Sequence, residues 1–266
     1  MRRVRPLSAP LDHFHEHGWM RLSGAIGAKD AAAMCDVVWK GLAADGILRD
    51  DPSTWSVERP AHLQHLKDHP AFRAIGSPIV LAAIDAIMQG CTYEAPRNWG
   101  ALFLAFPNCR EWQIPLGGWH IDAKYTSPLN PPGGVKTLGL LDDVAPKSGG
   151  TLVVGGSHRL VRRWFERNPP PADARSADMR KLLRGHPYLR DLQSPGDVRH
   201  RIARFMDNPE IDEGIPLQVV ELSGTAGDVF LLHPLMMHAP APNAGSGPRF
   251  MLSGGITTDM WGWEQP

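Results

Sequence analysis

The sequence changes character at residues 99–106, WGALFLAF, the first of several short apolar runs that are bounded by turn-forming residues. Five more runs follow it, each flanked by glycine, proline, asparagine or aspartate: Gly134–Leu141, Thr151–Val154, Leu217–Leu222, Asp228–Leu232 and Phe250–Ile256. Short apolar runs separated by turns are typical of strands. They predict a mainly β protein, a barrel or sandwich with helices flanking it on one side.

The helical signal lies upstream of these runs. Apolar residues recur at a spacing of four at Met34, Val38 and Leu42, which predicts an amphipathic helix. A second helix is expected from about Pro78 to Met88, and a short strand over Trp19–Leu22. We predict a single domain over residues 1–266, with helical support over about 1–95 and a β core over about 96–256. An insertion at about 160–213, rich in arginine, proline and histidine, interrupts the core, and long insertions of this kind are usually functional.

Charge and cysteine content narrow the class of partner. The 28 basic and 28 acidic residues leave no net charge to favour nucleic acid or an anionic membrane surface. The three cysteines, Cys35, Cys91 and Cys109, have no CxxC spacing, which argues against disulfides and a thiolate zinc site. No apolar run approaches the ~20 residues that cross a bilayer. We expect a soluble, cytoplasmic protein with a small-molecule substrate and no nucleic-acid or membrane partner; the oligomeric state stays open.

Residues 118–122, GWHID, contain the strongest chemical signal. On a strand, His120 and Asp122 point the same way, roughly 6 to 7 Å apart, which suits two ligands of one ion. A second histidine lies downstream at His233 or His238, and Arg249 follows His238 by eleven positions. Two histidines and one carboxylate form the facial triad of non-haem iron oxygenases. The residues alone leave open a plain surface pair at 120 and 122, and a structural role for either downstream histidine.

Four motifs in order resemble the phytanoyl-CoA dioxygenase family of Fe(II)- and 2-oxoglutarate-dependent oxygenases. They are FHEHGWMRLSG at 14–24, GWHID at 118–122, LLDDVAPKSGGTLVVGGSH at 140–158, and GDVFLLH at 227–233 followed by His238, Asn243 and Arg249. The resemblance implies a double-stranded β-helix, the cupin-like jelly roll. It makes His120, Asp122 and His238 the iron ligands and Arg249 the partner of the far carboxylate of 2-oxoglutarate. Gly155 and Ala239 depart from the usual Pro and Gly without removing a ligand.

The resemblance makes several other residues candidates for contacts with cosubstrate or substrate. Thr137 is expected to donate a hydrogen bond to the cosubstrate, and the small Gly139 to leave room for cosubstrate or substrate. Arg249 is expected to reach the site if its strand runs beside the one ending at His233. Trp119 is a candidate substrate contact, as are Trp112, Trp261 and Trp263 to a lesser extent. The arginines of the insertion form either a solvated surface or, in part, a clamp for an anionic substrate.

The resemblance implies an enzyme that uses Fe(II), 2-oxoglutarate and O₂ to hydroxylate a small organic molecule, releasing succinate and CO₂. The substrate would be a secondary metabolite, an amino-acid-like molecule or an acyl compound. Related halogenases carry a small residue in place of the carboxylate, so Asp122 favours hydroxylation. Two alternatives remain: a catalytically silent cupin-like protein that binds metal or ligand, and a zinc hydrolase, for which no separate general base is visible.

Overall fold

Two antiparallel sheets form the centre of the protein, seen in a computed structural model that describes residues 8–94, 96–109, 111–122, 130–168 and 184–258. The five-stranded sheet has the order β1-β7-β3-β9-β2 and the four-stranded sheet the order β5-β6-β4-β8. The strands are β1 Trp19–Leu22, β2 Ala101–Ala105, β3 Gly134–Leu140, β4 Thr151–Gly155, β5 Glu210–Asp212, β6 Ile215–Leu222, β7 Val229–Leu232, β8 His238–Pro240 and β9 Arg249–Thr257. The prediction of a jelly roll with flanking helices is confirmed, as two facing sheets that do not close into a barrel.

Helices cover the outer face of each sheet. The α-helices are α1 Ser8–His17, α2 Ala28–Ala44, α3 Pro78–Met88, α4 Ser157–Arg167, α5 Pro187–Leu192 and α6 Val198–Ile202. Short 3₁₀ helices span Pro52–Thr54, His62–Asp68 and Pro70–Gly76, and a π-helical turn spans Ala203–Asp207. The predicted face of α2 is buried at Met34, Val38 and Leu42. α3 begins where the Ser77 side chain accepts a hydrogen bond from the Val80 amide, with Pro78 in its first turn.

The apolar core has three layers, set by the alternation of side chains along the strands. Helices α2 and α3 pack with residues such as Val135 and Leu252 on the outer face of the five-stranded sheet. Leu138 and Val153 meet between the sheets. Leu152 and the neighbouring outward residues of the four-stranded sheet pack against α4, α5 and the rest of the insertion. The insertion therefore covers one sheet face.

Strand β9 is not the neighbour of β7 that the sequence analysis assumed. β3 lies between them and pairs with both, placing Thr137 opposite Leu231 on one side and Gly254 on the other. Arg249 instead enters the structure opposite Ala105 of β2. The reason is that six apolar runs specify strands but not the order in which they pair.

The two faces of β3 bear on the expectations for Thr137 and Gly139. Lys136 and Leu138 line a cavity between the sheets, so Thr137 and Gly139 point to the helical layer. The Thr137 hydroxyl is buried and has no hydrogen-bond partner among the described residues. A Cβ atom at Gly139 would lie 2.3 Å from Cδ1 of Ile75, so the absence of a side chain there makes room for Ile75. The contacts of Thr137 and Gly139 with cosubstrate or substrate stay predictions.

Within the described part of the chain, no single helix is both long and apolar enough to cross a membrane. One bent pair, Pro70–Gly76 with Pro78–Met88, passes that test by length and composition. Its residues Ile75, Val80 and Ile84 are buried in the protein core.

The replacement Gly139→Ala should destabilise the protein by about 1 kcal/mol, because crowding against Ile75 exceeds the gain from a stiffer backbone. Urea unfolding of the single variant and of the Gly139→Ala/Ile75→Val pair measures this directly. Removal of Cδ1 from residue 75 should restore part of the loss. A shift in 2-oxoglutarate affinity without a stability change would show that Gly139 faces the ligand after all.

His158 should make the fold sensitive to acid. Its Nε2 atom donates to the His15 carbonyl oxygen of α1 at 3.2 Å, and burial lowers the pKa of the imidazole from 6.5 to about 4. As the pH falls, His158 is therefore protonated in the unfolded chain before it is protonated in the folded protein. The stabilisation present above pH 6.5 is lost as the pH falls toward 4. The free energy of unfolding, measured by urea titration at several pH values, falls with decreasing pH. His158→Asn should make that fall less steep, by up to about 1.4 kcal/mol per pH unit. The exposed His200→Asn serves as the control, and an equal effect there would contradict the assignment.

Candidate active site

His120, Asp122 and His238 meet at one end of the space between the sheets. The backbones of His120 and His238 exchange hydrogen bonds, with N–O distances of 3.0 and 2.9 Å. Asp122 Oδ1 lies 3.6 Å from His120 Nε2, and Asp122 Oδ2 lies 3.6 Å from His238 Nε2. One potential ligand atom from each residue lies within 4.8 Å of the other two. The structure thus brings together the three residues proposed as metal ligands, and their arrangement can hold an ion.

Each histidine is oriented by its other ring nitrogen. Nδ1 of His120 lies 2.8 Å from the Gly118 carbonyl oxygen, and Nδ1 of His238 lies 2.9 Å from that of Met236. A carbonyl can only accept, so in each neutral ring Nδ1 carries the proton and Nε2 keeps its lone pair. Both lone pairs then lie on the side of Asp122. A hydrogen bond from the outer nitrogen to a fixed acceptor is the usual support of a metal-bound histidine.

The competing histidine, His233, lies elsewhere. It is buried, its Nδ1 accepts a hydrogen bond from the Leu235 amide at 3.0 Å, and its ring stands 5.0 Å from that of His158. A nitrogen that accepts a backbone hydrogen bond is not free to bind a metal. Of the two downstream histidines, His238 is the one that joins His120 and Asp122.

Charges around the triad favour an ionised carboxylate and neutral imidazoles. Burial opposes ionisation of Asp122, but His238, Lys136 and His120 outweigh it and hold the pKa of the carboxyl below its ordinary value. Burial, aided by the charge of Lys136, lowers the pKa of His238. These are the protonation states that a metal requires of its ligands.

Lys136 is the residue that sequence reasoning missed. Its ammonium group forms an ion pair with Oδ2 of Asp122, and both side chains are mostly buried. The lysine lies within an apolar strand, where a long side chain can turn toward solvent, so the residue type alone gave no signal. Only its face on β3 shows that it points between the sheets.

A cavity of about 330 Å³ extends inward from the triad. His120 and His238 line one end of it, and the cations Lys136, Arg249 and Arg59 lie around it. Arg249 is buried, donating from Nε to the Gly149 carbonyl oxygen and from Nη1 to that of Phe103, each at 2.8 Å.

Arg249 makes no ion pair with any residue in the described ranges, and its Nη2 atom donates no hydrogen bond to them. Burial, with a smaller effect of Arg59, lowers its pKa to about 10, so it remains charged at neutral pH. A buried cation without a counter-ion is costly. The cavity is therefore built to receive an anion.

A larger cavity, of about 670 Å³, is also lined by His120, whose side chain remains 47% exposed. Trp119 lines this cavity and also packs in the core, with its indole N–H donating to the Pro115 carbonyl oxygen at 2.9 Å. Trp112 is a core residue. Trp261 and Trp263 lie outside the described residues. Trp119 is thus the one described tryptophan of the four candidates that borders a cavity next to the triad.

Comparison with solved structures shows which proteins share this fold. AviO1 from Streptomyces viridochromogenes Tue57 is 16% identical with a TM-score of 0.55, covering 98% of each chain. HygX from Streptomyces hygroscopicus, crystallised with nickel and 2-oxoglutarate, is 18% identical with a TM-score of 0.54, over 96% of this chain and 87% of HygX. The epimerase SnoN, in complex with Fe³⁺, alpha ketoglutarate and nogalamycin RO, is 13% identical with a TM-score of 0.53, over 97% and 86%.

Comparison with curated protein sequences finds no match. The family model described as phytanoyl-CoA dioxygenase (PhyH) matches residues 14–251. This range includes all four motifs and His120, the histidine that lines both cavities. With a match over most of its length, the chain belongs to the phytanoyl-CoA dioxygenase family.

Proposed function

We propose that this protein is an Fe(II)- and 2-oxoglutarate-dependent oxygenase that hydroxylates a small organic molecule. The observation that carries the proposal is the triad itself, two imidazoles whose Nδ1 atoms are held by carbonyl oxygens and whose Nε2 atoms face one carboxylate. Family membership supports iron and 2-oxoglutarate chemistry in general terms. The structures of HygX with nickel and 2-oxoglutarate, and of SnoN with Fe³⁺ and alpha ketoglutarate, add to that support.

The donor set fits iron. Two neutral imidazoles and one carboxylate leave a divalent ion with one positive charge and with open positions for other ligands. A structural zinc site would instead be closed by a fourth protein ligand. No fourth His, Cys, Asp or Glu joins the cluster among the described residues. Lys136 forms an ion pair with the same carboxylate that would bind the metal.

The inner cavity fits 2-oxoglutarate, a dianion with a carboxylate at each end. We propose that Arg249 binds its far carboxylate, with Arg59 contributing charge, and that Lys136 attracts the end nearest the triad. A guanidinium already fixed by two carbonyl oxygens loses little freedom when it binds an anion. When bound, iron and 2-oxoglutarate together activate O₂ and supply the oxidising power, with succinate and CO₂ as coproducts. The apolar Leu138 and Met251 line the same cavity and limit its water content.

Hydroxylation is the proposed outcome because Asp122 occupies the position that a halide would need. Epimerisation is the competing outcome, since SnoN is an epimerase of the same fold. Turnover under ¹⁸O₂ separates the two, because a hydroxylated product gains one labelled oxygen atom and an epimer gains none. A catalytically silent binding protein would bind iron but release no succinate with any substrate.

Loss of the carboxylate should remove the metal. We expect Asp122→Ala and His238→Ala each to reduce the iron retained after anaerobic reconstitution at least tenfold, and to abolish succinate formation from 2-oxoglutarate. The matched control is His233→Asn, whose side-chain oxygen can still accept the Leu235 hydrogen bond. It should retain iron. Iron loss in the His233 variant but not in the His238 variant would overturn the assignment of the triad.

Substitution of the cavity cations should weaken cosubstrate binding. Arg249→Lys keeps the charge but not the fork of donors, and Lys136→Met keeps the side-chain length but not the charge. Each should raise the KM for 2-oxoglutarate about tenfold, because each loses at least one charge-assisted hydrogen bond to the cosubstrate and such a bond strengthens binding by about that factor. The exposed Lys40→Met is the control for loss of a lysine. An unchanged KM in Lys136→Met would place the cosubstrate away from this residue.

A further inference from the structure

The larger cavity has a polar wall that comes from the insertion. Its floor is the segment 116–119, which leads into His120. Its wall consists of Arg184, Arg190, Gln193 and Ser194, on and beside α5. No acidic side chain is among the described residues that line it. His120 borders this cavity as well as the inner one, so a molecule held here lies next to the triad without contacting Arg249, which lines the inner cavity.

The wall is fixed to the floor by Arg201. This buried guanidinium donates to the carbonyl oxygens of Leu192 at 2.8 Å, Ile114 at 3.3 Å, and Ser194. It therefore joins the end of α5 to the chain just before residue 116. The apolar side of α5 is buried in the core as well. Buried contacts thus hold both the floor and the wall of the cavity in place.

Several arginines of the insertion form ion pairs away from the cavity. Arg163 pairs with Asp212 and Glu213, and Arg167 pairs with Glu213. These pairs account for part of the arginine-rich composition as a solvated surface. Arg184 and Arg190 are the arginines among the described residues that line the larger cavity.

The two arginines of the wall differ in their ion pairs. Arg190 Nη2 lies 3.2 Å from Asp191 Oδ1, and Arg204 Nη1 lies 3.1 Å from the other oxygen of the same carboxylate. Arg204 also lies 3.5 Å from Glu210, so Arg190 and Arg204 have two acids between them. Arg184 is exposed and forms no ion pair with any residue that the structure describes. The described lining of the cavity therefore carries two guanidinium groups and no carboxylate.

We propose that this cavity binds an anionic group of the substrate, a carboxylate or a phosphate ester, on Arg184 and Arg190. This inference rests on the proposed function, because it takes the cavity beside His120 as the substrate site. Guanidinium groups bind both kinds of anion through parallel N–H donors. The anion anchors the molecule at the insertion, and the rest of the substrate extends past Trp119 toward His120. An acyl or amino-acid-like substrate would then be bound as its free acid or as a phosphorylated derivative, not as a neutral ester.

Direct binding of inorganic phosphate, and separately of acetate, to the full chain tests the anion site without iron or turnover. By calorimetry at low salt, the Arg184→Ala/Arg190→Ala double variant should bind the preferred anion at least tenfold more weakly than the unaltered protein. Arg199→Ala, an exposed arginine of the same insertion that does not line the cavity, should bind it normally. Lys136→Met should also bind it normally, which separates this site from the inner cavity.

Equal binding by the double variant, or an equal loss in Arg199→Ala, would overturn the proposal. Loss of binding in Lys136→Met would move the anion to the inner cavity and overturn it as well. If the anion binds through the two arginines but the protein neither retains iron nor releases succinate, the proposed function fails while the anion site stands. In a succinate screen of acids paired with their methyl esters, the acids should stimulate turnover and the esters should not.

Discussion

The site depends on the reciprocal backbone hydrogen bonds between His120 and His238. They join a segment that precedes β3 to strand β8, so two proposed ligands distant in sequence share reciprocal backbone hydrogen bonds. β8 is itself paired with β4, which ties His238 to the four-stranded sheet. The amide of Asp122 donates to the Pro234 carbonyl oxygen at 3.3 Å and anchors the third proposed ligand to the same region. The triad is therefore positioned by main-chain pairing, which side-chain packing elsewhere cannot easily disturb.

Buried charge is the cost of this arrangement. Asp122 and Lys136 lie between the sheets with Arg249, and taking such groups out of water is expensive unless each is compensated. Asp122 and Lys136 compensate each other, whereas the partners of Arg249 within the described part of the chain are carbonyl oxygens. A protein selected for stability alone would replace it with an apolar side chain. Its presence beside the triad makes sense if a dianion completes the site, and this links the energetics of the fold to the proposed cosubstrate.

The sequence predicted the elements well and their mutual placement poorly, for a physical reason. Apolar runs and the spacing of His120 and Asp122 are local properties, and they predicted the strands and one pair of candidate ligands. The choice of His238 over His233 came from the family resemblance. The run at Gly134–Leu141 is apolar on both faces, because helices cover one and the second sheet covers the other. Period-two reasoning then cannot tell which residues point inward. That is why Thr137 was chosen and Lys136 was missed, and why only the pairing of β3 with β7 and β9 decides between them.

The two cavities that share His120 draw on different parts of the chain. The inner one is built from residues on paired strands, where the geometry is fixed by the ladder and a change of side chain disturbs the core. The outer one takes its polar wall from an insertion outside the sheets, where substitutions cost little stability. Chemistry common to the family would then reside in the sheets, and the choice of substrate in the insertion. The presence of Arg184 and Arg190 in the lining of the outer cavity is, on this division, a property of the individual protein and not of the fold.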